Sequence, residues 1–472
     1  MSTRKIVTNT VYYGVVPKLS MLLSIVMLPL TTPFLTTFDY GIYGVLTSYT
    51  SLFVSIAPLG LHVHLTNSFF ELPRHYNLVW GRVLLMILLS SLFFGLVNIV
   101  ILLFTLPMGF SLEGMALSVV GSMPIFLLAN GLLAQHIFPL VERPRHLVFT
   151  NLLGAILGML VSFVLIWWFR LGYWGLISSG FVSTIFTFTV FVKYVWHDFN
   201  IRPIWDHNRR RVRRMFQIAL PLVPHTLGFV LLTSSARIVM SQCQVSYDDI
   251  GLFSHGAAMG DYAVVITSAL AMALMPQIQR TYRKADFSAY RRLYFLCQTV
   301  ALLTSFLICI WMPELYGLLI RNESLARSCD IASLLCFANV VYSLYVFMSA
   351  PAFIKKNTMQ LLWLVFVPGI LNIVLCYTFV PLYGYRAAIW STIVSYWSQL
   401  MIPFVVGYYR RSVHEWLGNR WLIILVLMVI IADLLIANEA MQLAIWLKLL
   451  LTLLSGGLLA LFYTRTHLSQ LL

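Results

Sequence analysis

The chain has 472 residues, of which 60% are hydrophobic and 10% charged, whereas a soluble domain is typically about 45–50% apolar and about 25% charged. This composition excludes a soluble protein and is typical of a protein that crosses a membrane many times. The formal net charge of +15 does not indicate nucleic-acid binding, because the arginines lie in short segments between apolar runs, where they favour contact with anionic lipid headgroups.

Runs of roughly 20 apolar residues predict an all-α polytopic membrane protein with about fourteen transmembrane helices. The first predicted spans lie at residues 11–36, 41–65, 83–106, 116–140, 147–169 and 173–196. The later ones lie at 215–241, 251–277, 293–319, 328–353, 358–380, 385–408, 421–437 and 442–463. The connections are short and contain no Gly-x-x-x-x-Gly-Lys-Ser/Thr loop, so we expect neither a nucleotide-binding domain nor a cofactor.

A polar segment at residues 197–214 interrupts this series with six arginines and a proline. It cannot cross a bilayer, because an arginine at the centre costs about 2.5 kcal/mol or more. We predict that it is a basic linker between a six-helix lobe at 1–196 and a second six-helix lobe at 215–412. Residues 413–472 would add two transmembrane helices.

The basic residues predict the orientation of the chain. Most of the 31 lysines and arginines fall in segments on the same side as the N-terminus. The exceptions on the other side are Arg170, Arg321, Arg327, Arg386 and Lys448. By the positive-inside rule, both termini and the linker are expected in the cytoplasm.

The two predicted lobes share short motifs at a nearly constant spacing. Residues 39–41 (Asp-Tyr-Gly) match residues 249–251 (Asp-Ile-Gly), with 210 residues between the glycines. Residues 171–173 (Leu-Gly-Tyr) match residues 383–385 (Tyr-Gly-Tyr), with a spacing of 212. Since each lobe has an even number of spans, the repeats are predicted to be parallel and related by an axis along the membrane normal.

Three stretches resemble polysaccharide-exporting flippases: Asp39–Gly44, Leu220–Val223 and Gly384–Ala388. These flippases form the O-antigen or capsule-repeat branch of the multidrug/oligosaccharidyl-lipid/polysaccharide (MOP) exporter superfamily. The chain departs from the family pattern late in the seventh span, where Ala236-Arg237 stands in place of a frequent Asp-Arg pair.

This resemblance implies a flippase rather than an enzyme. Its substrate would be an undecaprenyl-pyrophosphate-linked oligosaccharide, moved from the inner to the outer leaflet of the bacterial cytoplasmic membrane by alternating access. The implied partners are membrane lipids, a polysaccharide polymerase and a chain-length regulator.

Prolines interrupt the first and seventh spans, which hold equivalent positions in the two lobes. Pro17 lies in the first of these spans, and Pro221 and Pro224 lie in the seventh. Paired interrupted helices indicate a substrate site and its gate. The alternative is a kink that serves packing alone.

Two basic residues within spans are the candidates for binding the pyrophosphate. Lys18 lies in the cytoplasmic half of the first span and Arg237 in the outer part of the seventh. A guanidinium can make two hydrogen bonds to phosphate oxygens. The alternative for both is that they extend to the lipid headgroups.

Energy coupling would need groups that gain or lose protons or form ion pairs within the membrane. Asp261 is predicted about ten residues into the eighth span, where it would pair with Arg237 or carry a proton. His225 and His255 titrate near neutral pH, although a hydrogen-bonded contact between helices is the alternative for each. His62 and His64 face different sides of a helix, so no metal site is predicted there.

Three amides, Asn130, Gln135 and Asn339, are candidates for lining the path of the glycan, with hydrogen bonding between helices as the alternative. A disulfide between Cys243 and Cys329 is one alternative for these cysteines, and the apolar surroundings favour buried free thiols.

Two other functions remain open at this stage. A multidrug-type cation antiporter of the same superfamily would need carboxylates within the membrane, and the predicted spans place only Asp261 and Asp433 well inside. A membrane polysaccharide polymerase or ligase would be expected to have a long outer loop, and no predicted outer loop is long.

Overall fold

The computed structural model of the protein describes residues 16–206, 208–338, 345, 349, 350, 352, 354, 360–399, 402, 406 and 445–465. Asn339 and Asp433 lie outside the described residues, as do the side chains of Pro17 and Lys18. In the described part of the chain every regular element is helical.

The chain divides into two compact units, the first ending at Gly251 and the second beginning at Leu252. The helices of the first unit are α1 (Val16–Thr31), α2 (Thr37–Ile56), α3 (Val63–Glu71), α4 (Tyr76–Thr105), α5 (Leu112–Phe126), α6 (Leu128–Leu140), α7 (Pro144–Trp167), α8 (Tyr173–Lys193), α9 (Arg209–Ala219) and α10 (Val223–Gln242). Helix α11 (Tyr247–Gly260) begins in this unit and continues into the second.

The remaining helices belong to the second unit. They are α12 (Tyr262–Arg283), α13 (Phe287–Leu319), α14 (Glu323–Ala326), α15 (Cys329–Ala338), α16 (Leu361–Tyr383), α17 (Tyr385–Ser398) and α18 (Ile445–Arg465).

Seven helical segments in the described residues are long and apolar enough to cross a membrane. The sequence-based prediction of an all-α polytopic membrane protein is therefore confirmed. The predicted number of fourteen helices is not confirmed, since the span predicted at 421–437 lies outside the described residues.

Several predicted spans are divided in the described part of the chain. The fourth divides into α5 and α6 at Leu127, shortly after Pro124. The seventh divides into α9 and α10 around a 3₁₀ turn at Leu220–Leu222, which contains Pro221. Proline lacks a backbone N–H and collides with the preceding turn, so a regular helix does not continue through it. The eighth divides into α11 and α12 at Asp261.

Part of the basic linker is itself a helix docked on the first unit. The Asn208 side chain accepts hydrogen bonds from the backbone N–H groups of Arg210 and Arg211, which caps the start of α9. Met215 and Ala219 on one face of α9 enter a buried apolar cluster with Trp80 of α4. Helices α9 and α10 belong to this unit, which ends at Gly251.

The second unit contains buried polar contacts. Lys448 of α18 is 5% exposed and its Nζ lies 2.5 Å from Glu314 Oε1 of α13. Lys448 lies near the start of α18, within the span predicted at 442–463. All six cysteines are free thiols, so the Cys243–Cys329 disulfide is not formed, and four of the six are buried.

Candidate functional site

Helices α2 and α10 pack against each other through polar side chains. Ser51 Oγ and Ser234 Oγ are 3.2 Å apart. Gln242 Nε2 donates a hydrogen bond of 3.2 Å to the Tyr49 hydroxyl. The pairing order shows that the helices run antiparallel. We call these four residues the polar seam. Between transmembrane helices such groups hydrogen-bond to each other because the surrounding lipid offers no partner.

The polar seam continues beyond the end of α10 to the start of α11. The Thr37 hydroxyl donates to Asp248 Oδ1, and the Tyr247 hydroxyl donates to the carbonyl oxygen of Thr105 at 2.6 Å. These contacts hold the start of α11 against the start of α2 and the end of α4.

Arg237 lies on α10 between Ser234 and Gln242 and is half-buried. Its Nη1 lies 3.4 Å from the Thr233 carbonyl oxygen, one turn earlier in the same helix. The neighbouring Ala236 is 1% exposed. The position that often carries an acid in polysaccharide-exporting flippases is thus packed inside this unit, and a small side chain fits there.

Three histidines from different elements meet in the first unit. The rings of His62, between α2 and α3, and His136 of α6 are stacked with centroids 5.7 Å apart. His225 of α10 interacts electrostatically with His62 and packs edge-on against Phe229. We call His62, His136 and His225 the histidine cluster. In the described part of the chain, no group of three or more histidine, cysteine or acidic residues is arranged to hold a metal ion.

His225 was predicted as a coupling residue, but His62 and His136 were not predicted to lie near it. More than 70 residues separate each histidine from the next, so no local pattern connects them. His64, which neighbours His62 in the sequence, has a different role. Its Nε2 lies 2.9 Å from the Met215 carbonyl oxygen and joins α3 to α9.

The two predicted amides within the described residues, Asn130 and Gln135, have different surroundings. Asn130 is buried, and its Oδ1 accepts a hydrogen bond of 3.1 Å from Trp196 Nε1. This contact supports the alternative of hydrogen bonding between segments. Gln135 is exposed on α6, next to His136 of the histidine cluster.

The predicted coupling residues of the second unit have different surroundings. Asp261 is exposed at the break between α11 and α12, rather than inside one continuous helix. His255 is 1% exposed, and its Nδ1 lies 2.7 Å from the Ser328 hydroxyl. Tyr316 completes this network, with its hydroxyl 2.9 Å from Ser328 Oγ.

In both the first and the seventh predicted spans a 3₁₀ turn occurs at a proline. Pro29 lies inside α1, and the 3₁₀ turn that follows α1 contains Pro33. Pro221 lies in the 3₁₀ turn before α10, and Pro224 lies in the first turn of α10. The backbone of Pro17 and Lys18 belongs to the first turn of α1.

Residues 6–282 match the family described as polysaccharide biosynthesis protein, which is more than half of the chain. The chain belongs to this family. No curated protein matches it at a significant level.

Solved structures place this member of the polysaccharide biosynthesis protein family in a known fold. An inward-facing multidrug resistance MATE family transporter of the MOP superfamily has a TM-score of 0.62 at 14% identity, covering 85% of this chain and 96% of that chain. Lipid II flippase MurJ in an inward closed conformation has a TM-score of 0.59 at 13% sequence identity, and the match covers 85% of this chain and 96% of that chain. MATE in complex with MaL6 has a TM-score of 0.58 at 13% sequence identity, and the match covers 86% of this chain and 96% of that chain. The fold is that of the MOP superfamily, as the sequence motifs indicated.

Proposed function

We propose that the protein is a flippase for undecaprenyl-pyrophosphate-linked oligosaccharide repeat units, which it moves from the inner to the outer leaflet of the bacterial cytoplasmic membrane by alternating access. The observation that carries this proposal is membership of the polysaccharide biosynthesis protein family over residues 6–282. The similarity of fold to a lipid II flippase supports it. The exported glycan would be built into a surface polysaccharide such as O-antigen or capsule.

The substrate has an anionic pyrophosphate, a polar glycan and a long apolar tail, and each part requires a different surface. Arg237 is the proposed phosphate ligand on α10, because its planar guanidinium can bind two phosphate oxygens at once. Lys18 is the corresponding candidate on α1. The exposed Gln135 is the proposed hydrogen-bonding group for the glycan. Asn130 would act indirectly, by holding Trp196 in place.

Transport of this substrate does not require ATP. With the cell interior negative, outward movement of an anion releases about 2.3 kcal/mol per charge for every 100 mV. A pyrophosphate diester carries about two negative charges. We propose that the membrane potential drives the step in which the carrier moves its bound substrate outward. The groups proposed to respond to ions during the return of the empty carrier are the histidine cluster, Asp261 and His255.

A cation antiporter has the same fold, but the acidic residues favour an anionic substrate. A cationic drug would need carboxylates that face the transport path. Asp39 accepts hydrogen bonds from two helix starts, and Glu314 pairs with Lys448. Both carboxylates therefore already have partners within the protein.

The orientation follows the positive-inside rule, with both termini and the arginines of α9 in the cytoplasm. A polysaccharide polymerase and a chain-length regulator are the proposed partners on the outer side, because the flipped repeat units must be joined there.

Reconstitution in liposomes tests the function directly. The protein is incorporated together with an undecaprenyl-pyrophosphate-linked oligosaccharide labelled in its glycan, and the label is cleaved by a glycosidase that cannot cross the membrane. We expect the cleaved fraction to rise above that in protein-free liposomes. Equal translocation of a labelled phosphatidylcholine would contradict a specific flippase. Uptake of a cationic dye without movement of the glycan would favour the antiporter.

A further inference from the structure

A groove of about 710 Å³ lies between the cytoplasmic end of α4 and the linker with α9. It belongs entirely to the first unit and is separate from the polar seam. Its lining residues are Leu59, Arg82, Leu85, Met86, Leu89, Ser90, Phe93, Phe94, Ile204, Trp205, Asp206, Arg209, Val212, Arg213 and Phe216.

One wall of the groove is an apolar stripe on α4. Leu85, Leu89 and Phe93 follow one another at intervals of four residues, so they lie on one face of the helix. Leu89 is 48% exposed and Phe93 is 61% exposed. Helix α4 is one of the segments long and apolar enough to cross the membrane, so this stripe extends from the interface into the hydrocarbon.

The opposite wall is one face of α9 that carries both charge and apolar surface. Arg209, Val212, Arg213 and Phe216 are spaced so that they share this face. Arg209 and Arg213 are exposed, and within the described part of the chain neither forms an ion pair with a carboxylate. Cationic groups therefore stand beside apolar ones along the same wall.

The groove is held in shape by ordered contacts of the linker. The Ile204 N–H donates to the Gly81 carbonyl oxygen at 3.0 Å. Arg82 Nε and Arg211 Nη1 lie 3.3 and 3.4 Å from Asp206 Oδ2. Two arginines thus compensate the one carboxylate in the groove, which leaves the charges of Arg209 and Arg213 in excess.

Trp205 lies at the rim of the groove and is 62% exposed. Tryptophan is enriched where the hydrocarbon of a membrane meets the headgroups. Its position beside the arginines marks this end of the groove as the headgroup level.

We propose that the groove binds one anionic phospholipid of the inner leaflet, with its phosphate on Arg209 and Arg213 and an acyl chain along Leu85, Leu89 and Phe93. Charge complementarity favours an anionic lipid over a zwitterionic one. The apolar wall favours a lipid over free phosphate, which would leave that wall without a partner. The site requires the linker to be cytoplasmic, but it does not depend on which substrate the protein transports.

Native mass spectrometry of the full chain in detergent tests this site, with phosphatidylglycerol and phosphatidylcholine as the probes. We expect the wild type to retain phosphatidylglycerol in preference to phosphatidylcholine. Arg209→Gln with Arg213→Gln should weaken this retention roughly thirty-fold, since one basic residue near an anionic surface contributes about a factor of five. The matched control is Arg210→Gln with Arg214→Gln, which removes the same charge from residues of α9 outside the groove and should retain the lipid.

A second measurement separates a lost site from a misfolded variant. Phosphatidylglycerol should raise the thermal unfolding temperature of the wild type and of the control pair, but not that of the Arg209/Arg213 pair. The proposal would be overturned if both double variants lost phosphatidylglycerol to the same extent. It would also be overturned if the wild type retained phosphatidylglycerol and phosphatidylcholine equally. Displacement of the lipid by inorganic phosphate, or by undecaprenyl pyrophosphate at equal concentration, would overturn it as well and would assign the groove to a free anion or to the transport substrate.

Discussion

Asp39 shows that a residue of the recognised motif has a structural role. Its Oδ2 accepts a hydrogen bond of 2.7 Å from the Thr36 N–H, which closes a capping box at the start of α2. Its Oδ1 accepts one of 2.8 Å from the Tyr173 N–H at the start of α8. Gly172 has a φ of 48°, and a Cβ there would overlap the Asp39 carboxylate. The Asp-Tyr-Gly motif at 39–41 and the Leu-Gly-Tyr motif at 171–173 are therefore in contact through the Asp39 carboxylate.

Asp39→Ala should lower the thermal stability of the purified protein, because two helix starts lose a hydrogen-bond acceptor, and a single cap is worth about 0.5–2 kcal/mol. The matched control is Asp249→Ala at the repeat-related position. Asp249 is half-buried, and its carboxylate accepts a hydrogen bond from the hydroxyl of the nearby Ser246. Equal unfolding temperatures for the two variants in one detergent would contradict the double role of Asp39.

Substitutions at Arg237 separate phosphate binding from anchoring at the membrane interface. Under the binding hypothesis, Arg237→Lys should lose most export of surface polysaccharide at normal protein abundance, because lysine offers one point charge instead of a planar fork. Arg237→Ala should be worse, since a hydrogen bond to a charged group contributes about 1.5–3 kcal/mol. Arg237→Glu should abolish export by repelling the pyrophosphate.

The control for this series is Arg74→Lys, an exposed arginine in the connection between α3 and α4, which should export normally. Wild-type export by Arg237→Lys would show that the fork is not needed. Wild-type export by Arg237→Glu would exclude Arg237 from the binding of phosphate and favour Lys18.

At the scale of elements, the linker is ordered because the Asp206 carboxylate contacts two other residues of the linker and one residue of α4. Asp206 accepts a hydrogen bond from the Asn208 N–H at 3.0 Å and pairs with Arg82 of α4 and Arg211 of α9. These contacts hold the pKa of Asp206 below its ordinary value, with the Asn208 hydrogen bond as the largest cause. Because its folded pKa is depressed, its contribution is present at neutral pH and is lost as the pH falls through that pKa.

Asp206→Asn should loosen the linker and expose its arginines to protease. We expect trypsin to cut the purified variant at residues 209–214 faster than it cuts the wild type at neutral pH. Asp198→Asn, at an exposed acid in the π-helical turn Tyr194–Asp198, should be cut at the wild-type rate. If both variants are cut equally fast, the ion pairs of Asp206 do not hold the linker.

The side of the membrane on which α9 lies can be measured by cysteine labelling. Arg210→Cys is suited to this because Arg210 is exposed, whereas Asn208 caps the helix. In a chain with Cys243 and Cys329 replaced by serine, a membrane-impermeant maleimide should leave Arg210→Cys unlabelled in intact cells and label it after lysis. Phe110→Cys, at an exposed position between α4 and α5, should be labelled in intact cells. The reverse pattern would invert the proposed topology.

Repeat-related glycines mark the crossing of α2 and α11. A Cβ at Gly41 would overlap the Tyr247 carbonyl oxygen, and one at Gly251 would overlap the Thr37 carbonyl oxygen. The two backbones approach this closely only because both positions lack a side chain. The two Asp-x-Gly motifs found in the sequence thus correspond to one contact between helix starts.

For the whole molecule, the proposed driving force is the membrane potential acting on an anionic substrate. In proteoliposomes held at constant pH, collapsing a potassium diffusion potential that is negative on the side of α9 should slow translocation of the lipid-linked glycan. Imposing a proton gradient at zero potential should have little effect. The opposite result would contradict voltage coupling and favour the histidine cluster and Asp261 as the coupling groups.

The sequence by itself determined the class of protein and most of its helices. Lipid offers backbone groups no hydrogen-bond partners, so a long apolar run must form a helix wherever the chain folds. Arginine is excluded from the hydrocarbon, so the polar segment at 197–214 was also predictable, as was the interruption at Pro221.

Contacts between distant residues were decided by the tertiary structure alone. The pairing of Lys448 with Glu314, the stacking of His62 on His136 and the burial of Asn130 against Trp196 join positions that are 66 or more residues apart. The apolar runs around them are nearly featureless, so they carry no information on which helix faces which. Helix α9 is predictable as basic and polar, but only its packing through Met215 and Ala219 turns Arg209 and Arg213 towards α4. Such orientations depend on how the side chains of several helices fill one volume, and no single stretch of sequence specifies that.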